Sequence, residues 1–533
     1  MDDQTFWDEI EAYCGRLSYT VGEQVSIHCS TKAENYQVVI ERWGAERSEV
    51  WRAEGVKGVY TPPPTDADTN GCCWPVSLSV PVSDRWRSGF YLVTVTAEGA
   101  QRGRDVAHAC FVVRASASQQ QPMSAPEPRS RRSSTLLVLA TNTWNADNTW
   151  GGKSLYTGGH QVSFARPFGR GILCRPQVER DDRKARPVRW GEDPDADGHT
   201  FQSYRIERGY PAAIGSTGWF THERRFVEWA ERAGHEFDMA VSSDLDNIDG
   251  LLDGYDLVLS VGHDEYWTAA GRDAVDTYIA QGGNWASFSG NTMFWQVRLV
   301  DDANHMVCYK YAATEHDPVV AQGDPASATG MWCDPTIDRA EWTTIGAGSA
   351  FGLYHRFGQA TPLGTGGYTV VDPDHWMLAG TGMTYGDVIG RDHGVVGYET
   401  VGCPLDFDDD QRLVARPIPG QPVDVEIVGF ALASNLGMGE YPKSISALSD
   451  QGDLEFVAQR FFSGAPDQNP PSAEALGRAR RGNSVMLTCR PAGVDGGEVV
   501  TVGTTDWVFG LAEDGVVARV TANVLVQLTS GEE

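Results

Sequence analysis

Residues 256–295 read DLVLSVGHDEYWTAAGRDAVDTYIAQGGNWASFSGNTMFW, and this stretch decides the fold. Two short apolar runs, DLVLSV and NWASFS, flank a segment whose apolar spacing is typical of an amphipathic helix. Thr268 is a suitable N-cap for that helix, and Gly282 is a suitable stop signal. A strand, a helix and a second strand with short connections predict a right-handed unit of a parallel sheet.

The same alternation continues on both sides of this unit. Towards the N-terminus we predict a buried strand at 135–140, a helix at 222–234, a strand at 236–241 and a short helix around 248–252. The C-terminal third is less regular, with strands such as DVEIVGFALA and a closing helix at 520–528. We expect it to complete the same domain, so residues 135–533 are predicted to form one α/β domain on a parallel sheet.

The region before this domain has a different pattern. Residues 15–114 contain short alternating runs broken by turns, which predict an N-terminal immunoglobulin-like β-sandwich over residues 1–114. Cys29, Trp43 and Cys110 follow the order of the immunoglobulin Cys, Trp and Cys, but buried thiols are favoured over a disulfide. Residues 115–134 are rich in Ser, Gln, Pro and Arg and predict a flexible linker.

The composition restricts the partners. The 533 residues include 43 Lys and Arg against 72 Asp and Glu, a formal net charge of −29, which argues against a nucleic-acid partner. No apolar run is long enough to cross a membrane, and the acidic start differs from a signal peptide. The ten cysteines include no C-x-x-C pair and are expected to be thiols. We therefore expect a cytoplasmic protein that acts on a small molecule.

Polar residues follow three of the predicted strands, where parallel sheets bind their ligands. Asp147 and Tyr156 follow the first strand, His263 and Glu265 follow DLVLSV, and Asn291 follows NWASFS. Hard oxygen and nitrogen donors of this kind suit Fe, Mn or Zn with open coordination positions. A metal there would activate water, with His263 as acid or base and Asn291 as an oxyanion donor.

Simpler interpretations of these residues stay open. Glu265 and Tyr266 could cap the following helix, while His263 satisfies a loop. Ser289 follows a strand, but the G-x-S-x-G elbow of a serine nucleophile is absent. The stretch DPDADG (193–198) begins like a calcium loop, yet Tyr204 stands where the loop needs Glu, so a solvated acidic loop is favoured.

Six strings resemble, in the same order, motifs of the N,N-dimethylformamidase large (beta) subunit family. They are TWNADNTWGGKSLYTG, GHDEYW, SGNTMFW, MVCYK, GVVGYE and VGTTDWVFGL. The resemblance runs from about residue 135 to the C-terminus and implies a class I glutamine amidotransferase-like catalytic domain that lacks the catalytic Cys. It also implies one mononuclear ferric iron, bound by two tyrosines and a glutamate, and hydrolysis of a small tertiary amide.

Carried over by motif, the resemblance implies that Glu265 and Tyr156 are metal ligands. The second family tyrosine falls on Asp147, so this chain would offer one phenolate and two carboxylates. A carboxylate donates less strongly to ferric iron than a phenolate, so Asp147 could also leave the metal weakly held, and Mn or Zn become alternatives to iron, the first candidate.

The resemblance further implies catalytic roles for His263, Asn291, Lys310 and Glu399. Lys310 is one of only six lysines, and its alternative role is a salt bridge to Glu399. In the implied mechanism a metal-activated water attacks the carbonyl carbon. Glu399 or His263 then transfers the proton, and Asn291 with Lys310 stabilises the oxyanion.

Three functions follow from these observations. The first is a metal-dependent amidohydrolase acting on a non-peptide C–N bond. The second is a cyclase, lyase or dehydratase on the same scaffold that acts on a specialised metabolite, an alternative motivated by Asp147. The third, a binding protein with a decayed site, is disfavoured by the retained polar set. The family's large insertion is missing, which leaves open both a small-subunit partner and a homo-oligomer.

Overall fold

The computed structural model describes residues 9–100, 104–115, 133–175, 210–211, 214–354, 365–440, 452–462 and 470–529. The predicted linker lies outside these residues except at its two ends, and the acidic stretch 193–198 also lies outside them. No helix in the described part of the chain is both long and apolar enough to cross a membrane.

The N-terminal region is a β-sandwich of a three-stranded and a five-stranded sheet, in the orders β1-β3-β6 and β2-β8-β7-β4-β5. The strands are β1 (Ile10–Cys14), β2 (Ser18–Tyr19), β3 (Gln24–Thr31), β4 (Asn35–Trp43), β5 (Arg47–Lys57), β6 (Leu78–Pro81), β7 (Gly89–Ala97) and β8 (Val106–Val113), with a short helix α1 (Ala67–Asn70) before β6. Alternate side chains of both sheets, such as Ile27 and Val38, fill the space between them. The immunoglobulin-like topology stays a prediction.

Cys29 and Cys110 are both buried free thiols, as the sequence predicts. Cys29 belongs to the core between the two sheets, whereas Cys110 faces the opposite side of the five-stranded sheet. On that opposite side Phe90 stacks on Trp219 of the C-terminal region, with ring centroids 3.8 Å apart. The sandwich therefore packs against the C-terminal region through a shared apolar core.

The C-terminal region is built on a nine-stranded sheet in the order β11-β9-β12-β14-β23-β22-β21-β17-β18. The first five strands in this order are parallel, and the remaining four pair antiparallel. The two strands of the predicted strand–helix–strand unit are therefore parallel, whereas the C-terminal strands, whose direction the sequence did not indicate, complete the sheet antiparallel. All eight residues of β22 are buried, so its sequence lacks the alternation that marks many antiparallel strands.

The strands of this region are β9 (Thr135–Leu139), β10 (Gln161–Ser163), β11 (Asp238–Val241), β12 (Leu257–His263), β13 (Tyr266–Thr268), β14 (Asn284–Gly290), β15 (Trp295–Val300), β16 (His305–Val307), β17 (Tyr368–Val370), β18 (Val388–Ile389), β19 (Leu405–Phe407), β20 (Leu413–Ala415), β21 (Glu426–Ala433), β22 (Gly482–Cys489) and β23 (Val499–Thr501). Its helices are α2 (Thr141–Asp147), α3 (Glu223–Arg232), α4 (Asp244–Asn247), α5 (Ala269–Ala280), α6 (Ala313–His316), α7 (Pro318–Ala321), α8 (Trp342–Ile345), α9 (Asp453–Val457), α10 (Ala473–Ala479) and α11 (Gly515–Gln527).

The helix signals in the sequence are mostly confirmed. Thr268 Oγ1 accepts a hydrogen bond from the Gly271 amide at the start of α5, and Gly282 has φ +93° just after its end. The short helix predicted around 248–252 is wrong. The structure ends α4 at Asn247, because the backbone of Ile248 is extended, and Gly250 then adopts a left-handed φ of +67°.

A second, small sheet lies beside the main one, in the order β10-β16-β15-β13. Three of its strands have only three residues, too few for a periodic pattern in the sequence. Tyr156 precedes β10, Glu265 precedes β13 and Lys310 follows β16. The small sheet therefore positions three of the predicted site residues, whereas His263 ends β12 and Asn291 directly follows β14 of the main sheet.

Candidate active site

Two glycines bring the ends of β12 and β14 close to neighbouring segments. Gly262 has φ +82°, and a Cβ atom there would lie 2.3 Å from Cβ of His222. A Cβ atom on Gly290 would lie 2.2 Å from the carbonyl oxygen of Glu399. Because no side chain fits at either position, Gly262 lets the end of β12 pack against His222, and Gly290 brings Asn291 up to the segment that holds Glu399.

Glu265 lies at the centre of the site. Its Oε2 accepts a hydrogen bond from the Tyr156 hydroxyl at 2.5 Å, and its Oε1 accepts one from Trp295 Nε1 at 2.7 Å. The Glu265 amide donates to Thr143 Oγ1 of α2 at 3.0 Å. Both carboxylate oxygens and the backbone are thus fixed, and the carboxylate is held 3.3 Å from Nε2 of His263.

His263 and Glu399 form a buried pair. Nε2 of His263 lies 2.7 Å from Oε2 of Glu399, while Nδ1 lies 2.9 Å from the Ser216 carbonyl oxygen. Because a carbonyl only accepts, Nδ1 carries its hydrogen and Nε2 is the nitrogen that exchanges a proton. Asn291 Nδ2 donates to the same Glu399 oxygen at 3.0 Å, and Tyr354 donates to Asn291 Oδ1 at 3.3 Å.

Lys310 places its ammonium against aromatic rings. Its Nζ lies 3.2 Å from the centroid of the Tyr156 ring and 5.3 Å from those of Tyr266 and Trp295. The alternative salt bridge to Glu399 is not among the ion pairs of the described residues. Contact with three electron-rich ring faces keeps a positive charge beside Glu265 without pairing it directly to a carboxylate.

Asp147 is the last residue of α2 rather than part of a loop, and it is 5% exposed. Its Oδ2 atom is buried without a hydrogen-bond partner among the described residues. His263, Glu265, Lys310 and Glu399 all act electrostatically on its carboxyl group. Asp147 therefore lies at the same site as the other predicted residues.

Burial and mutual charge set the proton affinities. Burial raises the pKa of Asp147 to about 8 and also raises the pKa of Glu399. Burial opposes charge on His263, yet Glu399 and Glu265 raise its pKa well above the ordinary value. The pKa of Glu265 is lowered, because the hydrogen bond and charge of His263 together with Lys310 outweigh burial. Similar groups with opposite shifts are a common feature of functional sites.

Backbone strain is concentrated in the same place. Asn291 and Lys310 adopt left-handed φ angles of +49° and +54°, and Tyr398, next to Glu399, adopts +53°. Non-glycine residues avoid this region, and they persist there where the surrounding structure holds them. Three strained residues at one site indicate that side-chain placement is maintained at a conformational cost.

All seven residues predicted from the sequence meet in this one cluster. They are Asp147, Tyr156, His263, Glu265, Asn291, Lys310 and Glu399. Their individual roles stay predictions. The alternative in which Glu265 and Tyr266 cap α5 is wrong, because Thr268 supplies the cap. Ser289 is fully buried and its hydroxyl lies 2.7 Å from that of Ser287, which removes it as a nucleophile.

The sequence interpretation gave no role to several side chains that hold the site together. Trp295 and Thr143 fix Glu265, and Tyr354 fixes Asn291. Trp295 ends the string SGNTMFW and Thr143 begins TWNADNTW, so both lie in the quoted motifs. An indole or a hydroxyl in a buried segment has no pattern that distinguishes a site residue from a core residue.

The donor set fits a hard cation. His263, Glu265 and Glu399 each offer a ligand atom, and these atoms all lie within 4.8 Å of one another. The Tyr156 hydroxyl adds an oxygen donor beside Glu265 Oε2, and the carboxyl group of Asp147, whose Oδ2 is unpartnered, interacts electrostatically with Glu265. Carboxylate, phenol and imidazole donors without thiols suit Fe, Mn or Zn.

The sandwich holds the loop that carries Tyr156. Asp68 Oδ2 accepts a hydrogen bond from the Lys153 amide at 2.5 Å. A Cβ atom on Gly152 would lie only 2.6 Å from the same oxygen, so the loop and the Asp68 carboxylate are in close contact. Trp74 packs edge-on against Trp150, with centroids 5.9 Å apart. The sandwich therefore contributes to the site indirectly, through this loop.

Comparison with known proteins agrees with the motifs. A family profile described as "N,N-dimethylformamidase beta subunit-like, C-terminal" matches residues 37–520, which covers most of the sandwich and nearly all of the α/β region. The N,N-dimethylformamidase beta subunit of Alcaligenes sp is 34% identical over 87 residues, 16% of this chain and 11% of that protein. The beta subunit of Paracoccus aminophilus is 33% identical over 88 residues, with the same coverage. Each alignment spans about a tenth of the relative's length.

Proposed function

This chain belongs to the N,N-dimethylformamidase beta subunit-like family, and from that membership and the site geometry we propose that it is a metal-dependent hydrolase of small amides. The bond cleaved is a non-peptide C–N bond. The observation that carries the proposal is the convergence of Asp147, Tyr156 and Glu265 beside the buried His263–Glu399 pair. A class I glutamine amidotransferase-like fold is part of the proposal, supported by polar residues that follow the parallel strands.

Asp147, Tyr156 and Glu265 would hold the cation, with iron as the proposed metal and Mn or Zn as alternatives. When bound there, the cation would supply Lewis acidity toward water and toward the substrate carbonyl. The fit is supported by the unpartnered Asp147 oxygen and by the absence of thiol donors in the cluster. Lys310 keeps its ammonium on the Tyr156 ring, so it contributes charge to the site without occupying a carboxylate.

The His263–Glu399 pair moves the proton. Oε2 of Glu399 and Nε2 of His263 are 2.7 Å apart, so the pair accepts the proton of the attacking water and delivers it to the leaving amine. Asn291 orients Glu399 through one N–H of its amide, which leaves the second N–H for the developing oxyanion. Lys310 provides positive charge near the same oxyanion.

The proposal is tested by measuring amine release from a panel of small tertiary amides, beginning with N,N-dimethylformamide, the substrate in the relatives' names. We expect hydrolysis that a chelator abolishes and that one divalent or ferric ion restores. Failure of the metal-loaded protein to hydrolyse any amide of the panel would contradict the proposed reaction. Size-exclusion chromatography of the same sample tests whether the chain, like a beta subunit, needs a further subunit.

A further inference from the structure

Two buried carboxyl or phenol oxygens at the site have no hydrogen-bond partner among the described residues. One is Oδ2 of Asp147, and the other is the hydroxyl oxygen of Tyr266, whose residue is 1% exposed. The Tyr266 hydroxyl interacts with that of Tyr156, but the two do not meet with the geometry of a hydrogen bond. Buried polar groups are almost always satisfied, so two unsatisfied ones at one site point to a ligand that contacts both.

Several contacts hold the two residues beside each other. Asn142 Nδ2 of α2 donates to the Tyr266 carbonyl oxygen at 3.3 Å, and the Tyr266 amide donates to Thr143 Oγ1 at 3.4 Å. The Tyr266 ring belongs to an apolar cluster with Ala146 and Leu155, the residues next to Asp147 and Tyr156. Asp147 and Glu265 both act electrostatically on the Tyr266 hydroxyl.

The Tyr266 ring has its own neighbours, but they leave the hydroxyl unsatisfied. Tyr156 meets the ring edge-on with centroids 6.3 Å apart, and Lys310 Nζ lies 5.3 Å from its centroid. Both contacts involve the ring and not its oxygen. A residue kept only for packing would need no hydroxyl in this position, because phenylalanine fills the same volume.

We propose that Tyr266 is a further ligand of the cation at this site, so that two phenol oxygens, from Tyr156 and Tyr266, join the carboxylates of Asp147 and Glu265. This inference rests on the metal dependence of the proposed function. As each phenol oxygen bonds the cation, its O–H bond breaks and the proton passes to solvent. Two phenolates with two carboxylates form a hard, anionic donor set that favours ferric iron over a divalent ion.

The test uses the full chain loaded with ferric iron, because phenolate bound to ferric iron absorbs visible light. Bound iron is determined separately, and the absorbance is expressed per bound iron. The variants are Tyr266→Phe, Tyr156→Phe and the double variant. Tyr354→Phe, which removes a buried phenol that hydrogen-bonds Asn291, is the matched control.

We expect each of the two single variants to lose about half of the absorbance per iron and the double variant to lose all of it, whereas the control keeps it. A folded Tyr266→Phe that no longer retains iron, beside a control that does, also supports the ligand role. Unchanged absorbance per iron in Tyr266→Phe, or complete loss of the band in Tyr156→Phe alone, overturns the inference and leaves the proposed function intact. A wild-type protein that binds no metal overturns both.

Discussion

Nε2 of His263 lies 2.7 Å from Oε2 of Glu399, and the same nitrogen lies 3.3 Å from Oε2 of Glu265. The imidazole is thereby held between two carboxylates whose proton affinities differ, since the pKa of Glu399 is raised by burial and that of Glu265 is lowered mainly by His263. Such an arrangement separates a proton-transferring carboxylate from one that stays ionised. It supports the proposed roles of Glu399 in proton transfer and of Glu265 in cation binding.

Replacing Glu399 by Gln keeps the size of the side chain but removes its ability to take a proton. We expect kcat to fall by about 10²- to 10⁴-fold, with KM and bound metal little changed. Steady-state amine release and metal analysis of the same preparation check this. Glu513→Gln, at an exposed position, is the control. Wild-type kcat in Glu399→Gln would remove the proton-transfer role.

Asp147 is predicted to bind the cation through its unpartnered oxygen. Asp147→Asn removes the charge but keeps the shape, so we expect metal affinity to fall by at least about tenfold. Asp147→Tyr adds a phenol oxygen, and ferric protein should then absorb more visible light per bound iron. Equilibrium dialysis and absorbance spectra measure both effects. If neither variant changes metal content or spectrum, Asp147 is not a ligand.

The parts of this fold with local signals could be predicted from sequence. Thr268 and Gly282 mark α5 because a cap and a left-handed stop are properties of single residues. His263 and Asn291 were located by the rule that sites lie beyond the ends of parallel strands. The antiparallel direction of the C-terminal strands could not be predicted in the same way, and the fully buried β22 shows no alternation that would indicate it.

Other parts of the site depend on contacts that the sequence alone does not contain. Glu399 is held at the cluster by an isolated β-bridge to Tyr354. Lys310 follows β16, a strand of only three residues. Both were assigned only through the family resemblance. The contact of Asp68 with the Tyr156 loop could not be predicted from sequence, because Asp68 lies in the sandwich region, 85 residues before Lys153, whose amide donates to its carboxylate.

Asp68 is expected to act on the reaction through the position of the Tyr156 loop. Asp68→Ala removes the acceptor of the Lys153 amide, so we expect weaker metal binding and a lower kcat, by about tenfold, in a folded protein. Asp68→Asn keeps an acceptor oxygen and should restore most of the loss. Asp66→Ala, at an exposed position two residues earlier, is the control. Equal metal affinity in Asp68→Ala and wild type would show that the sandwich does not position the site.

Glu223 is predicted to make stability depend on pH. Burial raises its pKa to about 8 in the folded protein, above the value of 4.5 in an exposed chain. Since the unfolded state releases the proton first, the folded state loses stability as pH rises from about 4.5 to about 8, by on the order of a few kcal/mol. Glu223→Gln keeps the acceptor for Trp144 Nε1 and removes the titration.

The measurement is the change in melting temperature between pH 5 and pH 8 for wild type and each variant. We expect Glu223→Gln to lose less stability over this range than wild type. The exposed control Glu236→Gln should follow wild type. Identical pH dependence in wild type and Glu223→Gln would mean that this carboxyl is already ionised in the folded protein at pH 5.

Glu265 is proposed to hold a cation on which hydrolysis depends. The decisive measurement is metal analysis of wild type and Glu265→Ala, paired with amine release from the same samples. We expect about one metal ion per wild-type chain, little in Glu265→Ala, and amine release that follows the bound metal. Full hydrolysis by metal-free wild type, or wild-type metal content in Glu265→Ala, would contradict it.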